Sequence, residues 1–286
     1  MKENITFRDI KNDLEINSYV KERYIKTEDN WVQYDSSLRD IGNSFRKTLP
    51  KEYVQHLDKK MYGGIYEFGK AFKLYIEDSL SHSPNRERTA IEFGGPGSNL
   101  FSDFTKGFFG KTVGVCLSDI RNNEQIEKDK LISHSVVEGD LLKVSDEELF
   151  LKISRAIGFK KADLIISRMM GPLKKIQKNP ILLDRIIRKW YSLLNENGIL
   201  FAQFEYFKQH NPYMDPEDND DLKNPPFETD HEEYVRLWAK TIEDEFPNQI
   251  EIELGRGVIR LAKKDGAPKE LPSSKELFAN VENLTH

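Results

Sequence analysis

The chain has 286 residues, 38% hydrophobic and 32% charged, with a net charge of −5. That length suits one large domain or a domain with an addition, and the acidic balance argues against general attraction to phosphate backbones, and so against nucleic acid as a partner. No apolar run is long enough to cross a bilayer, and a single cysteine, Cys116, excludes an intrachain disulfide or a cysteine-held zinc.

The opening MKENITFRDIKNDLEIN mixes both charge signs and has no apolar signal-like core, so the cytoplasm is the expected compartment. Residues 1–85 read as a helical extension, with periodic apolar residues in WVQYDSSLRDIGNSF and in LPKEYVQHLDKKMYGGIYEFGKAFKLYIEDSL. Tyr34, Tyr62 and Tyr66 can line a cleft or simply pack in a core, and Gly63-Gly64 is a weak point where a hinge can form.

From about residue 86 the chain alternates short apolar runs with helix-like segments, the pattern of a parallel α/β sheet. Strands are predicted at 89–93, 111–117, 134–139, 162–167, 198–204, 250–254 and 257–263. Helices are predicted in NLFSDFTKGF, NEQIEKDKLI, SDEELFLKISRAIGF, NPILLDRIIRKWYSLLNE and HEEYVRLWAKTIEDEF, the third opened by a capping box of Ser145 and Glu148. Five nearly continuous apolar strands imply a buried parallel sheet, whereas IEIEL-GR-GVIRL leaves room only for an antiparallel hairpin. Cys116, inside an apolar run, reads as a core residue.

The first strand runs into Glu92-Phe93-Gly94-Gly95-Pro96-Gly97, a turn with almost no side chains. Such a turn either lets a ligand approach the backbone or makes a tight strand-to-helix connection. The dinucleotide pattern G-x-G-x-x-G is absent, as is the lysine of a P-loop. DPEDNDD at 215–221 lacks the glycine and glutamate of a calcium loop and reads as a solvated acidic loop, and the six histidines form no catalytic or metal grouping, so no metal is expected.

Five parallel strands closed by a hairpin, with an acidic residue before a glycine turn, resemble the class I S-adenosylmethionine (SAM) dependent methyltransferases over roughly residues 86–264. The resemblance implies a Rossmann-like sheet in the order 3-2-1-4-5-7-6 with the last strand antiparallel, and SAM as cofactor. It implies that Glu92, Gly94, Gly95, Pro96 and Gly97 lie under the methionine part of SAM, with N–H groups of the following helix turned to its carboxylate. Asp119, with Ile120 beside it, stands where the ribose hydroxyls are taken, Asp140 and Leu141 where the adenine is held, and Ser167, Arg168 and Met169 where the methyl is transferred. Read from the residues alone, Asp119 serves equally as the N-cap of the helix beginning near Asn122, Asp140 as a turn residue, and Arg168 as an ion-pair partner of Glu92 or Asp140.

Arg168, Glu205 and His210 are the candidate catalytic groups, none with a compelling spacing. The basic stretch PLKKIQKN at 172–179 reads as a solvated face, residues 205–230 as an acidic insertion over the site, and 265–286 as a tail. The expected function is methyl transfer to an oxygen or nitrogen of a small or medium-sized molecule. The other reading is a methyltransferase-like fold that no longer catalyses and works as a binding or scaffold module.

Overall fold

The computed structural model describes residues 35–55, 57, 64–81, 87–141, 146–168, 180–203, 231–255 and 257–272. The expectations for Tyr34, Tyr62, the Tyr66 side chain, Ser145, Met169, Glu205, His210, 172–179 and 205–230 lie outside them.

Seven strands form one sheet: β1 (Thr89–Phe93), β2 (Lys111–Cys116), β3 (His134–Glu138), β4 (Ala162–Ser167), β5 (Leu194–Gln203), β6 (Ile250–Gly255) and β7 (Val258–Lys263). Their spatial order is β3-β2-β1-β4-β5-β7-β6. The first five run parallel, and β7 alone runs against both of its neighbours, as the final hairpin required. β1 and β4 are buried along their whole length, which is why their sequences are unbroken apolar runs apart from a few polar residues.

Each face of the sheet carries helices. On one face α1 (Leu38–Phe45), α2 (Lys51–Val54), α3 (Gly64–Ser81) and α4 (Ser98–Ser102) build a core in which Phe45 and Phe72 meet Phe201 of β5. The segment before β1 therefore forms a layer of the main core. α1 begins with a capping box, Ser37 accepting from the Asp40 amide and Asp40 accepting from Ser37, and it buries Leu38, Ile41 and Phe45 at helical spacing. α5 (Asn123–Leu131) lies beside α4 at the β3 edge, its Asp129 accepting from Ser98, and the opposite face carries α6 (Glu147–Ala156), α7 (Pro180–Ser192) and α8 (His231–Glu245), with Trp190 of α7 stacked on Phe93 at 4.7 Å.

Two local expectations are corrected. The helix after β1 stops at Ser102: Thr105 donates its N–H to Glu77, Phe108 closes a turn on Thr105, and Phe104, Phe108 and Phe109 pack edge to face instead of continuing a helical stripe. α6 is capped by Asp146, whose side chain accepts from the Leu149 amide. β5 begins at Leu194, four residues before the predicted start, through an irregularity of register between Ala162 and Leu164.

Candidate functional site at the carboxyl ends of the strands

The glycine turn leaves β1 and folds back over β2. Gly94 donates its N–H to the Val115 carbonyl at 2.8 Å, and Gly94 and Gly97 both adopt positive φ, 101° and 76°. The turn presses so closely on β2 that a Cβ at Gly114 would stand 1.8 Å from the Pro96 carbonyl oxygen. The same carbonyl accepts a hydrogen bond from His134 Nε2 at 2.7 Å, and His134 Nδ1 lies 2.8 Å from Thr112 Oγ1. A carbonyl only accepts, so Nε2 carries the proton, and Nδ1 of the neutral ring accepts from the threonine hydroxyl. Burial pushes His134 below its usual range, against the pull of Asp129, which favours this neutral tautomer.

Beneath the turn lies Glu92, 1% exposed, with its Oε2 turned toward Gly97 and without a hydrogen-bond partner among the described residues. Burial, followed by the charge of Asp35, raises its pKa to about 8, while a hydrogen bond from Ser36 and the nearby Arg168 guanidinium work the other way. A carboxyl in this state is mostly protonated at neutral pH. A cation beside Oε2 would reverse that.

Asp35 and Ser36 come from the stretch just before α1, and no residue pattern in the sequence links them to β1. This stretch is clipped to α4 at two points: Asp35 accepts from the Asn99 N–H with both oxygens, at 3.2 and 3.3 Å, and Leu38 donates its N–H to Asp103 at 3.2 Å. The helix after the turn is the one expected to offer its amides to a cofactor carboxylate. That helix is a single turn of five residues, and the Asn99 amide is already held by Asp35.

Asp119 does not cap the following helix, whose N-cap is Asn122 in a box with Gln125. Arg121 takes both Asp119 oxygens instead, with Nη2 at 2.6 Å from Oδ2 and Nε at 2.9 Å from Oδ1, and its backbone N–H adds a third bond to Oδ1 at 3.0 Å. The other arm of Arg121 reaches Asp129 at 2.7 Å, and Ser98 donates to the same Asp129 oxygen at 2.5 Å. This network ties the loop after β2 to the start of α4. Glu138, in register with Cys116, accepts from the Asp119 amide at 2.7 Å and adds a second carboxylate here that the sequence reading missed. A carboxylate has about four lone-pair directions, so a diol at Asp119 must share or displace Arg121.

The remaining expected residues fall as follows. Ile120 is 45% exposed beside Asp119, and Leu141 is half-buried against the core. Gly139 and Asp140 follow β3, with Gly139 donating to the Cys116 carbonyl at 2.9 Å. Ser167 is fully buried at the end of β4, its hydroxyl unpartnered among the described residues, and Arg168 Nη1 lies 3.5 Å from Ser36 Oγ. The structure thus brings Glu92, the glycine turn, Ser167 and Arg168 to adjoining strand ends, and sets Asp119 and Asp140 beside the neighbouring ends of β2 and β3. Cys116 is a core residue, buried and with its thiol pushed up to about 12 by burial.

The strand order is that of the class I methyltransferase fold, and a glycine turn after the central strand stands at its usual ligand side. No family model matches the sequence, and no curated protein matches it. Solved structures are similar at a distance. The MycE methyltransferase of the mycinamycin biosynthetic pathway, solved with Mg and SAH, is 14% identical with a TM-score of 0.42, the match covering 88% of this chain and 63% of that one. This chain thus spans less than two thirds of that protein. An O-methyltransferase family protein from Burkholderia thailandensis is 12% identical at a TM-score of 0.36, covering 90% and 72% of the two chains. The SAH-bound methyltransferase PaMTH1 from Podospora anserina is also 12% identical at 0.36, covering 79% and 94%. The strand order, and not these likenesses, carries the fold. Among the described residues no helix is long and apolar enough to cross a membrane.

Proposed function

We propose that the protein is a SAM-dependent methyltransferase acting on an oxygen or nitrogen of a small or medium-sized molecule. The observation that carries this reading is Glu92: a buried carboxyl near the end of the central strand, with an oxygen that has no partner among the described residues and is turned toward Gly97 of the glycine turn. Such a group suits the ammonium of the methionine part of SAM, because a cation supplies the partner that burial withholds. Gly94, Gly95, Pro96 and Gly97 would lie under that part, Asp119 and Ile120 beside the ribose, Asp140 and Leu141 near the adenine, and Ser167 and Arg168 beside the acceptor.

Bound SAM supplies an activated methyl on a sulfonium, so the protein's work is to position and desolvate the reacting groups. In this chain His134 fixes the Pro96 carbonyl and with it the path of the turn. Arg168, at the end of β4, would set a fixed positive charge beside an acceptor that gains electron density on losing a proton. Glu205 and His210 remain the proposed bases for acceptors that must lose a proton first.

The engagement of Asp119 by Arg121 favours a second reading, a binding module that no longer catalyses. Titration calorimetry of the full chain with SAM and with S-adenosylhomocysteine separates the possibilities. Saturable binding of both, with methyl transfer to an acceptor, is expected. Absence of binding at millimolar ligand contradicts the proposal, and binding with no transfer across oxygen and nitrogen acceptors supports the second reading.

A further inference from the structure

Asp35 belongs to none of the positions that the methyltransferase resemblance implies, yet it stands at the candidate site. Two observations converge on it. One is its placement: the backbone that follows it is pinned by the buried Ser36 and by the Leu38–Asp103 bond, and its carboxylate holds the Asn99 amide next to the glycine turn. The other is Glu92, 1% exposed, whose Oε2 lacks a partner among the described residues while Asp35 is near enough to raise its proton affinity.

We infer that Asp35 is a ligand-binding residue, forming with Glu92 a carboxyl pair that receives a positively charged nitrogen of the bound molecule, and that this cation displaces a proton held by the pair in its absence. The inference rests on the proposed function for the identity of the ligand, whose α-ammonium is the cation.

The charges around the pair support it. Asp35 is raised to about 6, chiefly by burial, with Asp129 and Asp103 adding to the rise and Arg121 and the Asn99 amide opposing it. Glu92 faces Asp35 and Arg168. Arg121 is already bound to Asp119 and Asp129, so it neutralises little of the Asp35–Glu92 pair. With Arg121 offset by Asp129, the carboxyls of Asp35, Glu92 and Asp103 stand against Arg168 on the Glu92 side, a balance that favours a cation. Two neighbouring desolvated carboxyls without one cannot both ionise near neutrality, so one proton stays on the pair. When a cation arrives, the proton leaves to solvent, and the carboxylates and the cation form the charge-assisted bonds that Oε2 lacked.

The test is calorimetry of the full chain with S-adenosylhomocysteine at pH 7 in phosphate and in Tris, whose ionisation enthalpies differ. Wild type is expected to release about one proton on binding. Asp35→Asn keeps an acceptor for the Asn99 amide, and it should bind about tenfold more weakly with a changed proton count. Asp35→Ala is the second variant should the first fold poorly, with circular dichroism as the check on folding. Equal affinity and equal proton release in both variants and wild type would show Glu92 acting alone and overturn the inference while leaving the function intact. Wild-type binding with no proton release overturns it as well. If wild type does not bind at all, the proposed function fails and takes this inference with it.

Discussion

Two buried ionised or ionisable groups sit on the same face of the same sheet and are treated in opposite ways. Arg260 on β7 is 4% exposed, and each arm of its guanidinium has a partner: the Thr48 carbonyl at 2.8 Å, the Tyr75 hydroxyl at 2.9 Å and Glu251 at 2.7 Å. Its pKa stays above the ordinary value although burial opposes this, because Tyr75 and Glu251 favour the charge. Glu92 on β1 is buried more deeply, has an oxygen with no partner among the described residues, and is raised to about 8 by burial. The contrast teaches how to read a buried charge. A fully hydrogen-bonded one ties elements together, here α1, α3 and the β6–β7 hairpin, whereas an unsatisfied one at a strand end is a place prepared for something else.

The comparison breaks if Arg260 proves dispensable. Arg260→Ala takes the donor from the buried Tyr75 hydroxyl and Thr48 carbonyl and leaves Glu251 with Lys264 alone, and it should cost about 3–5 kcal/mol in urea unfolding. A loss below about 1 kcal/mol would remove the structural half of the contrast. Next in size is Gly114→Ala, which forces a Cβ against the Pro96 carbonyl at 1.8 Å. Overpacking against backbone should cost about 2–3 kcal/mol and move the turn off Glu92, so ligand affinity falls along with stability. Smaller again is Asp119→Ala. Arg121 keeps Asp129, so stability should fall by about 1–2 kcal/mol, while affinity for S-adenosylhomocysteine falls at least tenfold if Asp119 takes the ribose. Unchanged affinity would assign Asp119 to the Arg121 latch alone.

Much of the fold was legible because buried parallel strands must be continuously apolar, and β1 and β4 were read to the residue for that reason. The hairpin was legible because GR leaves no length for a crossover. The end of α4 was not: Phe104, Phe108 and Phe109 keep a helix-like spacing, and only their edge-to-face packing and the Thr105–Glu77 bond show that the helix has stopped. At the site, Glu92 and its glycines stood out by composition. Asp35 did not, because its approach to β1 depends on how α1 crosses the sheet, a tertiary fact with no local signal. The pairing of Arg121 with Asp119 spans only two residues in sequence, yet it shows only once Asn122 is seen to cap the helix in place of Asp119. His134 opens a strand like many core residues, and its role in holding Pro96 appears only when the turn folds back over Gly114.

Glu92 gives the most direct measurement. Because its folded pKa is raised from the usual carboxyl range to about 8, its contribution to stability is present below about pH 4.5 and lost as pH rises through about 8. Asp35, raised to about 6, adds a smaller loss of the same sign over a lower window. Urea unfolding of wild type and Glu92→Gln, with and without S-adenosylhomocysteine at pH 8, therefore reads both sides of the claim at once. If Glu92 is a group held for a ligand, the variant is more stable than wild type without ligand, by about 1 kcal/mol or more, and gains less than wild type when the ligand is added. A variant that is less stable without ligand, and equally stabilised by it, would make Glu92 a structural residue and contradict the account.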